Sequence, residues 1–196
     1  MNLFGEEELA PLEAKRPERP ADLSAPLAAR LRPRTFDEFN GQKHLVGPDA
    51  PLRRAAEADR VPSAIFYGPA GVGKTTLARL LATLTKSHFE DFSAISGGVA
   101  DVRKIVDAAK QRKKMKVRTL LFVDEIHRFN RAQQDAFLPN VEDGILTLLG
   151  ATTANPLASL NTPLLSRCRL FPFEPLQEED IVALMTRAFD DERGLK

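Results

Sequence analysis

Gly68-Pro69-Ala70-Gly71-Val72-Gly73-Lys74-Thr75 is the stretch whose reading decides the fold. It fits G-x-x-x-x-G-K-[ST], the pattern of a phosphate-binding loop. The flanks supply the context that such a loop needs. Ser63-Ala64-Ile65-Phe66-Tyr67 is a short apolar run and reads as a buried strand. From Thr76 onward, Leu77, Leu80, Leu81 and Leu84 share one helical face. Glycines let successive backbone N–H groups turn toward phosphate oxygens, and the helix N-terminus adds partial positive charge. Lys74 has the reach to meet β- and γ-phosphates, and the Thr75 hydroxyl is a ligand for Mg²⁺.

Thr119-Leu120-Leu121-Phe122-Val123-Asp124-Glu125 supplies the second half of such a site. Apolar residues without alternation, followed by two acids, read as a strand buried on both faces that delivers carboxylates at its C-terminal end. Asp124 suits Mg²⁺, directly or through water. Glu125 suits general-base activation of a water. His127 follows closely; orienting the site and standing as an exposed loop histidine both remain open for it. Gly144–Leu149 is expected as the fourth strand, running into Gly150-Ala151-Thr152-Thr153. A polar side chain there lies beside the acid-bearing strand and is a candidate to position the water.

The remaining segments fill in an alternating pattern. Residues 1–30 are rich in Pro, Glu, Ala and Arg and are expected to be mostly disordered. Leu3-Phe4 within them reads as a chance apolar pair or a docking dipeptide. Thr35 and Glu38 suggest a capped turn in a packed lead-in over residues 31–47, and Pro51 opens a helix over 52–59. His88–Ile95 is the second strand, and Asp101–Lys114 an amphipathic helix. The cations Lys110, Arg112, Lys113, Lys114, Lys116 and Arg118 fit a solvated helix end and also a DNA or partner patch. Asn130, with Gln133 three residues on, caps a helix expected from Arg131 to about Glu142. Thr162–Arg169 reads as a short helix running into a fifth strand, Leu170–Phe173. A last helix then carries Ile181, Leu184, Met185 and Ala188 on one face.

Bulk properties exclude several classes. With 196 residues, 43% hydrophobic and 28% charged, the chain suits one good-sized core, or one domain plus a fragment of another. The net charge of +1 advertises no global affinity for nucleic acid. A single cysteine, Cys168, excludes an intrachain disulfide framework and a cysteine-based zinc site. No apolar run approaches membrane-spanning length, and the acidic N-terminus lacks the basic and apolar regions of a signal peptide, so a cytoplasmic location is the default. The expectation is an α/β fold: a five-stranded parallel sheet flanked by helices, with a P-loop NTPase core over residues 31–175 and the start of a helical lid over 176–196.

Several stretches together resemble one family: Arg32–Gly47, Gly68–Thr76, Asp124-Glu125-Ile126-His127-Arg128-Phe129-Asn130, Gln133–Asp135, Gly150–Pro156 and Leu165–Cys168. They are similar to the AAA+ ATPase core of the RarA/MgsA group, replication-associated recombination proteins related to the Werner-helicase-interacting protein. The resemblance covers nearly all of the chain after residue 30, and its most specific piece is the string from Asp124 to Asn130. It implies ATP and Mg²⁺, with the loop residues Gly68, Pro69, Ala70, Gly71, Val72, Gly73, Lys74, Thr75 and Thr76 around the phosphates. Thr75 and Asp124 would hold the metal, Glu125 would activate water, and Thr152 would take the sensor 1 position. Arg167 matches the arginine finger offered to a neighbouring subunit. Pro33, Leu45 and Val46 match the region around the adenine. Ala70 and Val72 stand where Pro and Thr are commoner, and Ala154 and Ala158 stand where the family has Glu and an aromatic.

By that resemblance the protein acts on forked, gapped or single-stranded DNA as a homo-oligomer, nucleoid-associated if bacterial. Contacts with a sliding clamp or single-strand-binding protein are implied as well. The alternative is a truncated nucleotide-binding module, or a clamp-loader-like regulatory subunit, with little turnover of its own. A branch-migration motor shares the Gly150–Thr153 string but needs a winged-helix domain, for which the chain has no room.

Overall fold

In the computed structural model, residues 24–94 and 98–195 are described. Five strands form one all-parallel sheet: β1 (Ala64–Tyr67), β2 (His88–Ser93), β3 (Thr119–Asp124), β4 (Thr147–Thr152) and β5 (Arg169–Pro172). Their spatial order is β2-β3-β4-β1-β5. The helices in chain order are α1 (Leu27–Arg30), α2 (Lys43–Val46), α3 (Pro51–Glu57), α4 (Lys74–Leu84), α5 (Val99–Lys114), α6 (Arg131–Asp135), α7 (Leu138–Glu142), α8 (Pro156–Ser159), α9 (Thr162–Leu165) and α10 (Glu178–Asp190).

The unbroken apolar run of β3 follows from burial on both faces of the sheet. Leu120 and Phe122 enter one core, with Phe66, Leu149 and Phe171 from neighbouring strands and Leu77, Leu80 and Leu81 from α4. Leu121 and Val123 enter the other, with Ile65, Leu148 and Phe92, closed by Val102 and Val106 of α5 and by Phe129 and Phe137. Removing a fully buried ring such as Phe122 costs about 3–5 kcal/mol. The chain is thus an α/β P-loop NTPase of the AAA+ type, with α10 as a lid-like helix beyond the sheet. Among the described residues, no helix is long and apolar enough to cross a membrane.

Two expectations need correction. The helix expected over 131–142 is two short ones, because Pro139 has no N–H to offer the Asp135 carbonyl; Phe137 instead donates to the Gln134 carbonyl at 3.3 Å. The fourth strand begins at Thr147, not Gly144: Gly144 has φ +58° and ends α7 in the left-handed conformation. On α4, Leu77, Leu80 and Leu81 are buried, while Leu84 at its last residue is 37% exposed. Among the described residues nothing covers the apolar face of α10, where Ile181, Leu184, Met185 and Phe189 are all exposed. The leader expected to be mostly disordered lies largely outside the described residues, as does Leu3-Phe4; its end forms α1. Arg30 Nη1 of α1 donates to the Gly194 carbonyl at 2.9 Å.

Candidate nucleotide site

The loop Gly68–Gly73 leaves β1 at the C-terminal edge of the sheet and enters α4 at Lys74. Its conformation needs glycine at specific places. Gly68 has φ +146°, and a Cβ there would lie 2.2 Å from the Phe173 carbonyl oxygen. Gly73 has φ +99°, and a Cβ there would lie 2.9 Å from Cζ of Phe39. Lys74 Nζ donates to the carbonyls of Gly68 at 2.9 Å and Pro69 at 2.6 Å, so the ammonium is folded into the loop. Burial pushes the Lys74 ammonium below its usual range, and the charges of Glu125 and Asp124 pull the other way.

Parallel pairing sets the other side chains on the same edge. Val123 of β3 is level with Gly150 of β4, and Tyr67 of β1 is level with Thr152. Gly68 N–H donates to the Thr152 carbonyl at 3.2 Å, which ties the start of the loop to the end of β4. Glu125 follows β3 with φ +51°, a conformation that a non-glycine residue adopts at a cost. Its N–H donates to Asp124 Oδ1 at 3.1 Å. Thr152 is fully buried, and its hydroxyl oxygen accepts the Ala154 N–H at 3.0 Å.

The oxygen donors fit a hard divalent cation that keeps several waters. Among the described residues no cluster of three or more His, Cys, Asp and Glu forms, so Thr75 and Asp124 would act with phosphate oxygens and water. Beside the loop lies a cavity of about 390 Å³, lined by Pro33, Phe39, Val72, Thr76, Leu176 and Leu184 among others. Its apolar walls and position suit a planar base. Pro33, which the family resemblance assigns to the adenine region, lines this cavity. Leu45 and Val46 are each only 4% exposed, sit in the core, and do not line this cavity.

Arg167 lies elsewhere. Arg169 starts β5 level with Ala64, the first residue of β1, so Arg167 stands at the opposite end of the sheet from Gly68. Its guanidinium pairs with Glu142 and donates to the Pro163 carbonyl at 2.8 Å. Burial pushes the Cys168 thiol up to about 12, so it stays protonated and packs as a small apolar group. Sequence reasoning missed the contacts of His127, which touches both Glu125 and Thr152. It also missed Leu176, Leu184 and Arg187 beside the cavity. No spacing rule announces such contacts across elements.

The comparisons with known proteins agree with this geometry. Residues 31–163 match the family described as the Holliday junction DNA helicase RuvB P-loop domain. The replication-associated recombination protein A of Escherichia coli (strain K12) is 48% identical over 166 residues, covering 85% of this chain and 37% of that protein. The ATPase WRNIP1 of Dictyostelium discoideum is 41% identical over 166 residues, covering 85% of this chain and 19% of that protein. Among solved structures, the Thermotoga maritima RuvB Holliday junction branch migration motor superposes with a TM-score of 0.68 at 28% identity, covering 81% of this chain and 54% of that one. The chain spans less than two-fifths of the length of the Escherichia coli relative. With its loop, paired acids and sheet order in place, the chain belongs to the AAA+ P-loop ATPases of the RarA/MgsA family, within the RuvB-type P-loop domains.

Proposed function

We propose that the chain binds ATP and hydrolyses it as the core of a DNA-stimulated AAA+ ATPase of replication-fork maintenance and recombinational repair. The observation that carries this is the convergence of β1, β3 and β4: one sheet edge presents Lys74, Asp124, Glu125 and Thr152 together. Lys74 would leave the loop carbonyls to meet the β- and γ-phosphates. Bound Mg²⁺, held by Thr75 and Asp124, would neutralise charge on the phosphates. Glu125 would accept the proton of the attacking water, and Thr152 would position that water. The cavity beside Pro33 would take the adenine, with Leu45 and Val46 supporting it from the core.

Arg167 stands too far along the sheet to serve its own chain's phosphates. We assign it to a neighbour's site in a homo-oligomer, where a guanidinium stabilises the charge that develops in phosphoryl transfer. Forked, gapped or single-stranded DNA is the proposed effector, with a sliding clamp or single-strand-binding protein as further partners. The proposed location is the cytoplasm, on the nucleoid in a bacterium. A second reading, binding with little turnover, draws on the ion pair of Arg167 with Glu142, which already occupies the guanidinium.

ATPase rate measured against protein concentration, with and without forked DNA, separates the two. Turnover that rises with concentration and DNA supports the first reading; tight binding with no turnover at any concentration supports the second. Lys74→Ala is expected to raise the Kd for ATP by at least about a hundredfold, since a charge-assisted contact to phosphate is lost. Glu125→Gln is expected to keep ATP binding and lose about 10²-fold or more in turnover. Hydrolysis by Glu125→Gln at the parental rate would overturn the assignment of the base.

A further inference from the structure

His127 follows Glu125 on the 3₁₀ turn Ile126–Arg128, and its ring reaches back over the site. Nδ1 lies 2.8 Å from Oγ1 of Thr152 and 3.1 Å from Oε2 of Glu125. Both partners are restrained from other directions. The Thr152 oxygen already accepts the Ala154 N–H, and the Thr153 hydroxyl donates to the same Oε2 at 3.4 Å. The side chains of His127 and Glu125 are only 22% and 25% exposed, so solvent screens the contact incompletely.

One ring nitrogen carries either a proton or a lone pair. As Nδ1–H it donates to the Glu125 carboxylate, which in its ionised form only accepts. As a bare lone pair it accepts the Thr152 hydroxyl proton, and Glu125 Oε2 loses this donor and keeps only the long contact from the Thr153 hydroxyl. The two arrangements exclude each other, so the state of Thr152 and the aim of Glu125 are coupled through one atom.

We infer that His127 is a positioning residue that aims the Glu125 carboxylate: its Nδ1–H holds Oε2 once the Thr152 hydroxyl turns toward the attacking water, leaving Oε1 to take the proton from that water. This rests on the reading of Glu125 as the general base. The backbone adds to the aim, because Glu125 is held at φ +51° and the imidazole follows two residues later on a tight turn.

The test compares His127→Ala, His127→Asn and His127→Gln in the full chain, by steady-state ATPase and by equilibrium binding of ATP with Mg²⁺. An asparagine amide reproduces a donor near the Nδ1 position, and a glutamine amide places it farther out, near Nε2. His127→Ala is expected to lower kcat about tenfold or more, the scale on which misplacing a reacting group acts, with KM and ATP affinity unchanged. His127→Asn is expected to recover most of that loss, and His127→Gln little of it. Adding His127→Ala to Glu125→Gln is expected to cost nothing further. Parental kcat in His127→Ala, loss of ATP binding in parallel with kcat, or equal rescue by Gln and Asn each overturns the inference. Glu125→Gln run alongside keeps the two readings apart. An inactive Glu125→Gln with a fully active His127→Ala removes only the positioning role, whereas an active Glu125→Gln removes the general base itself.

Discussion

Gly68 shows how narrowly a single residue is specified. It sits at φ +146° between the end of β1 and the phosphate-binding turn, and the Phe173 carbonyl passes 2.2 Å from where a Cβ would stand. That carbonyl belongs to backbone, which cannot swing aside as a flexible side chain does. Gly68→Ala is therefore expected to destabilise the fold by about 3 kcal/mol or more, and to weaken ATP binding as the loop is displaced. Urea unfolding and ATP titration check the two effects separately. Lys74, Asp124 and Glu125 were legible at this scale because motif and flank agree on their positions. The contact of His127 with Thr152 was not, because 25 residues and a change of strand separate the partners.

Local signals settled most of the elements. Asn130 and Gln133 form a reciprocal capping box: Gln133 N–H donates to Asn130 Oδ1 at 2.9 Å, and Asn130 N–H donates to Gln133 Oε1 at 3.0 Å. The box starts α6 at the residue that the sequence indicates and fixes the exit of the Glu125–Phe129 segment from the site. Asn130→Ala is expected to cost about 1 kcal/mol, read as a lower urea midpoint with an unchanged slope. The break between α6 and α7 and the late start of β4 escaped the sequence for a common reason. Both depend on how Pro139 and Gly144 are used, and a hydrophobic period runs through such residues without registering their dihedrals. The Thr35–Glu38 pair is present as a turn, with Glu38 N–H donating to Thr35 Oγ1 at 3.3 Å.

Across the whole molecule, a cluster of charges fastens the segment after the sheet to the segment before it. Arg187 Nη1 of α10 donates to the Glu38 carbonyl at 2.7 Å, and Arg193 Nη2 reaches Glu38 Oε2 at 3.1 Å and Asp191 Oδ2 at 2.6 Å. Burial of Glu38 would raise its carboxyl, but the Arg34 N–H and the Arg193 and Arg187 guanidinia outweigh it and hold it below the usual range. The hydrogen bonds from Arg193 hold Asp191 well below its usual range too. Both carboxyls are depressed in the folded state. Their stabilisation is therefore complete above the ordinary carboxylate range, about pH 4, and is lost as pH falls through the lowered folded values. Acid is expected to release α10 before the sheet unfolds. Hydrogen exchange followed from pH 6 down to about pH 2 and corrected for the intrinsic rate checks this, with loss of protection confined to α10 and its flanks as the expected result. Since Leu184 and Arg187 also border the cavity beside the loop, such release would open that cavity.

The sequence by itself determined the phosphate-binding loop, the paired acids, the count of five strands and their parallel arrangement. Those features are encoded by neighbours in the chain: glycines at fixed offsets, apolar runs of strand length, caps at helix starts. Tertiary structure alone decided which side chains meet. It set Thr152 against His127, buried Leu45 and Val46 away from the cavity that Pro33 lines, and carried Arg167 to the far end of the sheet. Contacts of that kind follow from strand order and register, which bring together residues whose separation along the chain leaves no local pattern to read.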